Sequence, residues 1–367
     1  MNISGIRPKP GFYESWQLGQ EKEDKMKEQG KRFDPDELAA NRKKEMDEIM
    51  AKLSDGVTAC ANSDEFRRLL DTMARFPRYS LNNNLLIMMQ KPDATLCQSF
   101  TGWREMNRFV KKGEKGIRIL APAPYKKNVE KDVLDAAGRP VIDGDGNPVK
   151  ESTEVKMMAF KPVSTFDISQ TDGEPLPTVG VDELVGNIEG YPTLFEAIKA
   201  VTPVPVEFED ITTGAKGYYN KAENRIAIND GMSEVQNVKT LLHEAAHQKL
   251  HSVEALQMRE GKPSRADKEV EAESVAYVVC QHFGINTSDY SFAYVAGWAE
   301  GKDMNQLKES LDTIRKAAGE MITAIDEKVF EMVGEKDSVL GKLEKSKEAA
   351  ATQPISIGSS KNLDQAI

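Results

Sequence analysis

The sequence predicts an α+β protein of two successive α+β domains, preceded by a charged, partly helical arm and followed by a C-terminal helix and tail. Three observations predict it. Apolar residues recur at helical spacing in several runs, as at Phe66, Leu69, Leu70 and Met73. Short strand-like segments lie between such runs, as at 95–100, 155–163 and 217–228. A stretch rich in Pro and Gly, 173–188, divides the first set of elements from the second. A chain of 367 residues, 39% of them apolar, has room for about two packed domains plus tails.

Residues 1–50 are dominated by charge and read as an arm; Asp34-Pro-Asp-Glu starts a helix that runs toward Leu53. From Ser54 the composition becomes globular, and 51–172 form the first domain. Asn62-Ser-Asp-Glu opens a helix that Pro77 ends, and a second helix runs from Tyr79 through Gln90. A strand at 95–100 and a basic run follow; 126–156, with Asp143-Gly-Asp-Gly-Asn-Pro at its centre, reads as a long polar hairpin that returns as a strand. The second domain, 189–300, opens with a helix near 194–201, a strand near 204–208 and a hairpin at 217–228. A short amphipathic helix is expected at 290–298, a long packing helix at 304–333 within the segment 301–335, and a disordered tail at 336–367.

Charge is unevenly placed. The formal net charge is −10, yet 57–127 holds thirteen Lys and Arg against six Asp and Glu, a net of +7 that leaves −17 for the remainder. In that basic segment Trp103, Phe109 and Tyr125 are interleaved with Arg104, Arg108, Lys111, Lys112, Lys115 and Arg118. Stacking rings set among cations suit single-stranded nucleic acid of any sequence, because every base offers a π-face and every phosphate a charge. Arg75, Arg78 and Tyr79 beside Asn82 and Asn83 extend the set, since amides at a helix start can bond phosphates or bases. Taken singly, each ring is more simply read as core.

The sharpest chemical signal is Thr240-Leu-Leu-His-Glu-Ala-Ala-His-Gln-Lys-Leu-His251, which places His243, Glu244 and His247 in the HExxH arrangement. Residues four apart share one helix face, so two imidazoles can converge on one Zn2+ ion while Glu244 stands beside its water as general base. Against this stands a solvated helix that happens to carry histidines. The metzincin pattern is excluded, because Leu250 and Val253 stand where Gly and His would be required. His251 is a poor third ligand: a straight helix rises about 12 Å from His243 to it, whereas Zn–N bonds are about 2 Å.

The third ligand is expected from the following helix, 267–280, whose apolar stripe is Ala272, Val275, Ala276 and Val279. Glu269 borders that stripe and is taken as the ligand, with Glu271 as the fallback. Glu273, one turn beyond Glu269, is expected to hold a histidine N–H. The simpler alternative is a carboxylate-rich solvated face.

Cys60, Cys97 and Cys280 are odd in number, scattered and without a CxxC pair, which points to a reducing, cytoplasmic compartment and against a cysteine metal site. No stretch of about 18 apolar residues occurs, and residues 1–7 lack a hydrophobic signal core, so no membrane partner is expected.

The stretches Tyr79-Ser-Leu-Asn-Asn-Asn-Leu-Leu-Ile, Gly102-Trp103, Val110-Lys-Lys-Gly-Glu-Lys-Gly-Ile and Phe166-Asp-Ile-Ser-Gln-Thr resemble the N-terminal single-stranded-DNA-binding domain of ArdC-type antirestriction proteins. His243-Glu-Ala-Ala-His247 and Glu269-Val-Glu-Ala-Glu273 are similar to the zincin-like metallopeptidase domain that accompanies it. The resemblance spans about 50–300 and implies carriage on mobile elements, single-stranded DNA as partner, and protection of incoming DNA from restriction. The arm, the 126–156 excursion and the C-terminal helix lie outside it. Two functions follow: a DNA-binding protein joined to a zinc peptidase of unknown protein or peptide substrate, or a non-enzymatic DNA-coating protein whose zinc is structural. Three ligands plus Glu244 favour the first, since structural zinc prefers four closed ligands.

Overall fold

A computed structural model describes residues 35–333, except 136, 137, 145, 177–189, 260 and 291. The expected arm before residue 35, most of the expected linker and the expected tail lie outside the described residues. The chain divides into two compact units, residues 1–50 and 51–367. Of the first, only the start of helix α1 (Pro35–Ala59) is described.

The second unit begins with two helices whose starts are capped by side chains. Asn62 accepts the Asp64 N–H at the start of α2 (Ser63–Arg75), and Ser80 accepts the Asn83 N–H at the start of α3 (Leu81–Gln90). Every residue of α3 from Asn83 to Met88 is buried. The strand expected at 95–100 shortens to β1 (Cys97–Gln98), because Ser99 caps a new helix, α4 (Phe100–Glu105), accepting the Gly102 N–H. Next come β2 (Arg108–Val110), β3 (Ile117–Pro122), β4 (Tyr125–Asp132), β5 (Lys150–Met157), β6 (Phe160–Asp167) and β7 (Thr171–Gly173). They form an antiparallel β1-β6-β3 sheet, a β2-β7 pair and the β4-β5 hairpin expected at 126–156. One face of the sheet closes a core of Phe76, Ile87, Ala94, Cys97, Ile117 and Ile119, with Tyr79 and Val163 packed against it.

In the second region α5 (Gly190–Val201) precedes β8 (Val206–Glu209), β9 (Gly217–Asn220) and β10 (Arg225–Asn229). The strand order is β8-β10-β9, with β10 parallel to β8 and antiparallel to β9, so β9 is an edge strand. Helix α6 (Glu234–His251) starts at the Ser233 cap, α7 (Val253–Met258) follows, and α8 (Arg265–His282) starts in a capping box of Ser264 and Asp267. The amphipathic helix expected at 290–298 shortens to α9 (Val295–Ala299), while α10 (Met304–Val333) matches its expected span.

Helix α8 is the centre of this region. It packs against α6, α10, α2 and α9 and is buried nearly all round from Val270 to Cys280, so its sequence shows no clean polar face. The regions on either side of residues 177–189 share this core directly. Asp71 of α2 accepts from Tyr277 Oη and Gln281 Nε2 of α8, and the Ala74 carbonyl lies 2.8 Å from His282 Nδ1. Arg67 and Ser63 of α2 donate to the Tyr290 and Phe292 carbonyls. Among the described residues no helix is long and apolar enough to cross a membrane.

Candidate metal centre and nucleic-acid face

The HExxH segment occupies the C-terminal half of α6, where helical periodicity brings His243 and His247 to one face. Their Nε2 atoms are 3.1 Å apart. Glu269, in the first turns of α8, brings its Oε2 to 3.5 Å from His247 Nε2 and 3.8 Å from His243 Nε2. Three donor atoms thus lie within 4.8 Å of one another. Ligand atoms on a tetrahedral zinc with bonds of about 2.05 Å stand about 3.3 Å apart, so the triangle is close to the size that one such ion needs. Two histidines and a carboxylate are also a donor set that suits zinc.

Burial shapes the charges around this triangle. Desolvation, with help from His247, lowers the His243 imidazole to about 4, which keeps it neutral and able to donate a lone pair. The neighbouring His247 imidazole, 3.5 Å away, holds the Glu269 carboxyl below its ordinary value. Glu244 is buried between α6 and β9; desolvation raises its carboxyl, although the Tyr219 backbone N–H donates to it. A cleft of about 420 Å³ opens beside these groups, lined in part by Gly217, Lys239, Thr240, His243, Glu244 and Tyr290.

Glu269 and not Glu271 stands in the triangle, but not because it lies nearer the buried face. Helical angles placed Glu269 nearer the buried face, but the Glu269 side chain is 54% exposed and Glu271 is fully buried. Because α8 is enclosed on nearly every side, the apolar stripe does not mark its only buried face. Glu271 points away from the triangle, accepting from both Arg259 nitrogens and facing His251. Glu273 does not hold a histidine as expected: its carboxylate accepts from Tyr294 Oη. The partner of His247 is His251, with the two Nδ1 atoms 3.0 Å apart. The signal for this was present in the sequence, since positions 243, 247 and 251 repeat at four residues along one face.

The expected nucleic-acid residues separate into two groups. One group is built into the fold. Trp103 is 0% exposed and donates from Nε1 to the Phe166 carbonyl, so it is core and not a stacking surface. Tyr79 packs edge-on against Phe76, and burial raises its phenol. Asn83 clamps the Leu120 backbone, donating to its carbonyl at 3.0 Å and accepting its N–H at 2.9 Å. Arg75 donates to the Asp71 and Ala94 carbonyls, and buried Arg108 donates to Thr171 and Glu174. These polar groups satisfy buried backbone, a competing use that local sequence does not distinguish from ligand binding.

The second group is at the surface. Arg78, Arg104, Lys111, Lys112 and Lys115 are exposed, Asn82 is half-buried, and Arg118 donates to Ser164 Oγ across the β3–β6 pair. Lys111 also donates to the Ser169 carbonyl. Phe109 and Tyr125 are exposed as the stacking reading requires, and two rings missed by the sequence reading join them: Phe100, 50% exposed, and Phe160, 55% exposed. Phe100 lies edge-on to Phe166. In β6, Phe160, Ser164 and Phe166 share one face while Val163 and Thr165 turn to the core, and Arg118 lies opposite Ser164 on the same face as these rings. That period of two was the available signal.

Residues 39–166 match the family model of the N-terminal domain of anti-restriction factor ArdC. Over 326 residues the chain is 29% identical to an uncharacterized protein of Bacillus anthracis, covering 80% of this chain and 54% of that protein. Over 248 residues it is 25% identical to the DNA primase TraC of Escherichia coli, covering 66% of this chain and 16% of that protein. The chain thus spans about half the length of the first relative and a small part of the second. Crystal structures of the antirestriction protein ArdC from plasmid R388 are also similar. The metal-free form aligns with a TM-score of 0.42 at 20% identity, covering 68% of this chain and 85% of that one. The Mn(II)-bound form aligns with a TM-score of 0.40 at 19% identity, covering 68% and 84%.

Proposed function

Through residues 39–166 the chain belongs to the ArdC antirestriction family, and on that premise we propose that it binds single-stranded DNA and carries a zinc peptidase centre, acting in the protection of incoming mobile-element DNA. The observation that carries the peptidase half is the donor triangle of His243, His247 and Glu269 with buried Glu244 beside it. Three protein donors rather than four favour a catalytic site over a structural one.

A zinc ion held there supplies Lewis acidity and lowers the pKa of a bound water. The chain's own residues do the rest. Glu244 lines the same cleft as His243 without belonging to the triangle, and its raised carboxyl suits a group that takes a proton from water and later returns it to the leaving amine. His243 and His247 present their Nε2 atoms from one rigid helix face, which fixes the direction from which a nucleophile would approach. Edge strand β9 runs past Glu244, and an extended peptide can add to it as a further strand, laying its carbonyl over the site. Gly217 makes that approach close: a Cβ there would sit 2.5 Å from Thr240 Cγ2 and 2.8 Å from the Ala227 carbonyl.

The exposed rings Phe100, Phe109, Tyr125 and Phe160, with the surrounding cations, support a DNA-binding role for this face. Base stacking on rings that are already exposed costs no unfolding, and phosphate neutralisation by Arg104, Lys112 and Lys115 releases counterions. Two measurements test the proposal. Glu244→Gln should retain one equivalent of zinc and lose peptide hydrolysis; hydrolysis kept in that variant refutes the mechanism. Fluorescence anisotropy should show single-stranded oligonucleotides bound more weakly as salt rises and more tightly than duplex. Equal affinity for duplex refutes the DNA half.

A further inference from the structure

We infer that Glu271 and His251 are positioning residues that set the tautomer of His247, so that a bare Nε2 lone pair faces His243 and Glu269. The premise is independent of the metal-site reading; only its consequence for zinc rests on that reading.

A permanent charge, the Arg259 guanidinium, fixes the first of these hydrogens. Arg259 donates from Nη1 to Glu271 Oε2 at 2.8 Å and from Nη2 to Oε1 at 2.7 Å. A carboxylate that receives both arms of a guanidinium is ionised, and an ionised carboxylate can only accept. Glu271 Oε2 also lies 3.0 Å from His251 Nε2, so that nitrogen carries the hydrogen. A neutral imidazole has one N–H, which leaves His251 Nδ1 as an acceptor. His251 Nδ1 stands 3.0 Å from His247 Nδ1, which must then be the donor. The hydrogen of His247 is thereby placed on Nδ1, and its Nε2 is the lone pair 3.1 Å from His243 Nε2 and 3.5 Å from Glu269 Oε2.

Burial removes the alternatives. His251 and Glu271 are both 0% exposed, so water does not compete for either group, and enclosure favours the neutral form of His251. The path Arg259, Glu271, His251, His247 links α7's end, α8 and α6, so the ring of His247 is held in orientation as well as in tautomer. A metal accepts a lone pair and not an N–H; without the chain, both tautomers of His247 would be open and the ring free to turn.

The chain has four histidines, so their ring nitrogens can be resolved in a long-range 1H–15N correlation spectrum of the full-length, metal-free protein. At about pH 8, above the ordinary imidazole range, His247 should show the Nδ1–H form and His251 the Nε2–H form. An Nε2–H form of His247, or a doubly protonated His251, overturns the inference. In parallel, Zn2+ affinity is measured by competition with a chromophoric chelator. His251→Phe, which keeps a ring but removes the acceptor, should weaken Zn2+ about tenfold to a hundredfold. His251→Gln offers a carbonyl to His247 and an amide to Glu271, and should recover to within about threefold of the native value. Unchanged affinity in His251→Phe overturns the inference. Failure of the native protein to take up Zn2+ overturns the metal-site reading instead, and the spectrum still decides the tautomer.

Discussion

Asp71 on α2 accepts hydrogen bonds from Tyr277 Oη at 2.7 Å and Gln281 Nε2 at 2.9 Å, both on α8, the helix that carries Glu269. The basic region is therefore a buttress of α8 and not a freely tethered neighbour. Asp71→Ala leaves two donors without their acceptor and should cost about 1–3 kcal/mol. Urea unfolding of the native protein should give coincident transitions by tryptophan fluorescence and far-ultraviolet circular dichroism. Two separated transitions would show that the regions unfold independently.

Truncating rings will separate packing from binding. Trp103→Ala should destabilise the protein by about 3–5 kcal/mol, because it empties a fully buried site and orphans the Phe166 carbonyl. Phe160→Ala and Phe100→Ala should leave the melting temperature nearly unchanged while each removes about 1–3 kcal/mol of single-stranded DNA binding. DNA affinity untouched by both changes would move the binding face elsewhere.

The two neighbouring glutamates of α8 should behave in opposite ways. Glu271→Ala leaves the half-buried Arg259 guanidinium and the buried His251 without their acceptor and should cost about 1–3 kcal/mol. Glu269→Gln alters an exposed carboxylate and should change the stability of the metal-free protein by no more than about 0.5 kcal/mol, yet it should weaken zinc strongly in calorimetric titration.

Acid should destabilise the metal-free protein before its carboxylates titrate. His243 is lowered to about 4 in the folded state, against about 6.5 when unfolded, and His251 is lowered as well. Between those two values the unfolded chain binds more protons than the folded one, so stability rises with pH and is lost as pH falls through the window. Glu244 and Glu273, whose carboxyls burial raises, oppose this trend in part. Melting temperatures recorded from about pH 7 to about pH 4.5 should fall, and His243→Asn should flatten the profile.

Gly217→Ala tests the seating of β9. The new methyl group meets Thr240 Cγ2 of α6 and the Ala227 carbonyl of β10, so β9 must shift at a cost of about 1–3 kcal/mol. The shift would also move Tyr219, whose N–H reaches Glu244, and hydrolysis should fall more than zinc affinity does.

Periodicity alone determined much of this protein. The capped starts at Asn62 and Ser80, the helix from Met304 to Val333 and the shared face of His243 and His247 are consequences of local backbone geometry, which neighbouring residues encode. Tertiary structure decided what each polar side chain bonds. Asn83 and Arg108 look like ligand-binding groups in sequence, but β3 and β7 present backbone that they must satisfy. Glu269 and Glu271 stand two residues apart on one helix, and only the packing of α8 against α6 and the reach of Arg259 assign one to the donor triangle and the other to His251. The reason is physical: periodicity fixes which face a residue shares, whereas the partner of a buried polar group is supplied by elements distant in the chain, whose arrangement no local pattern records.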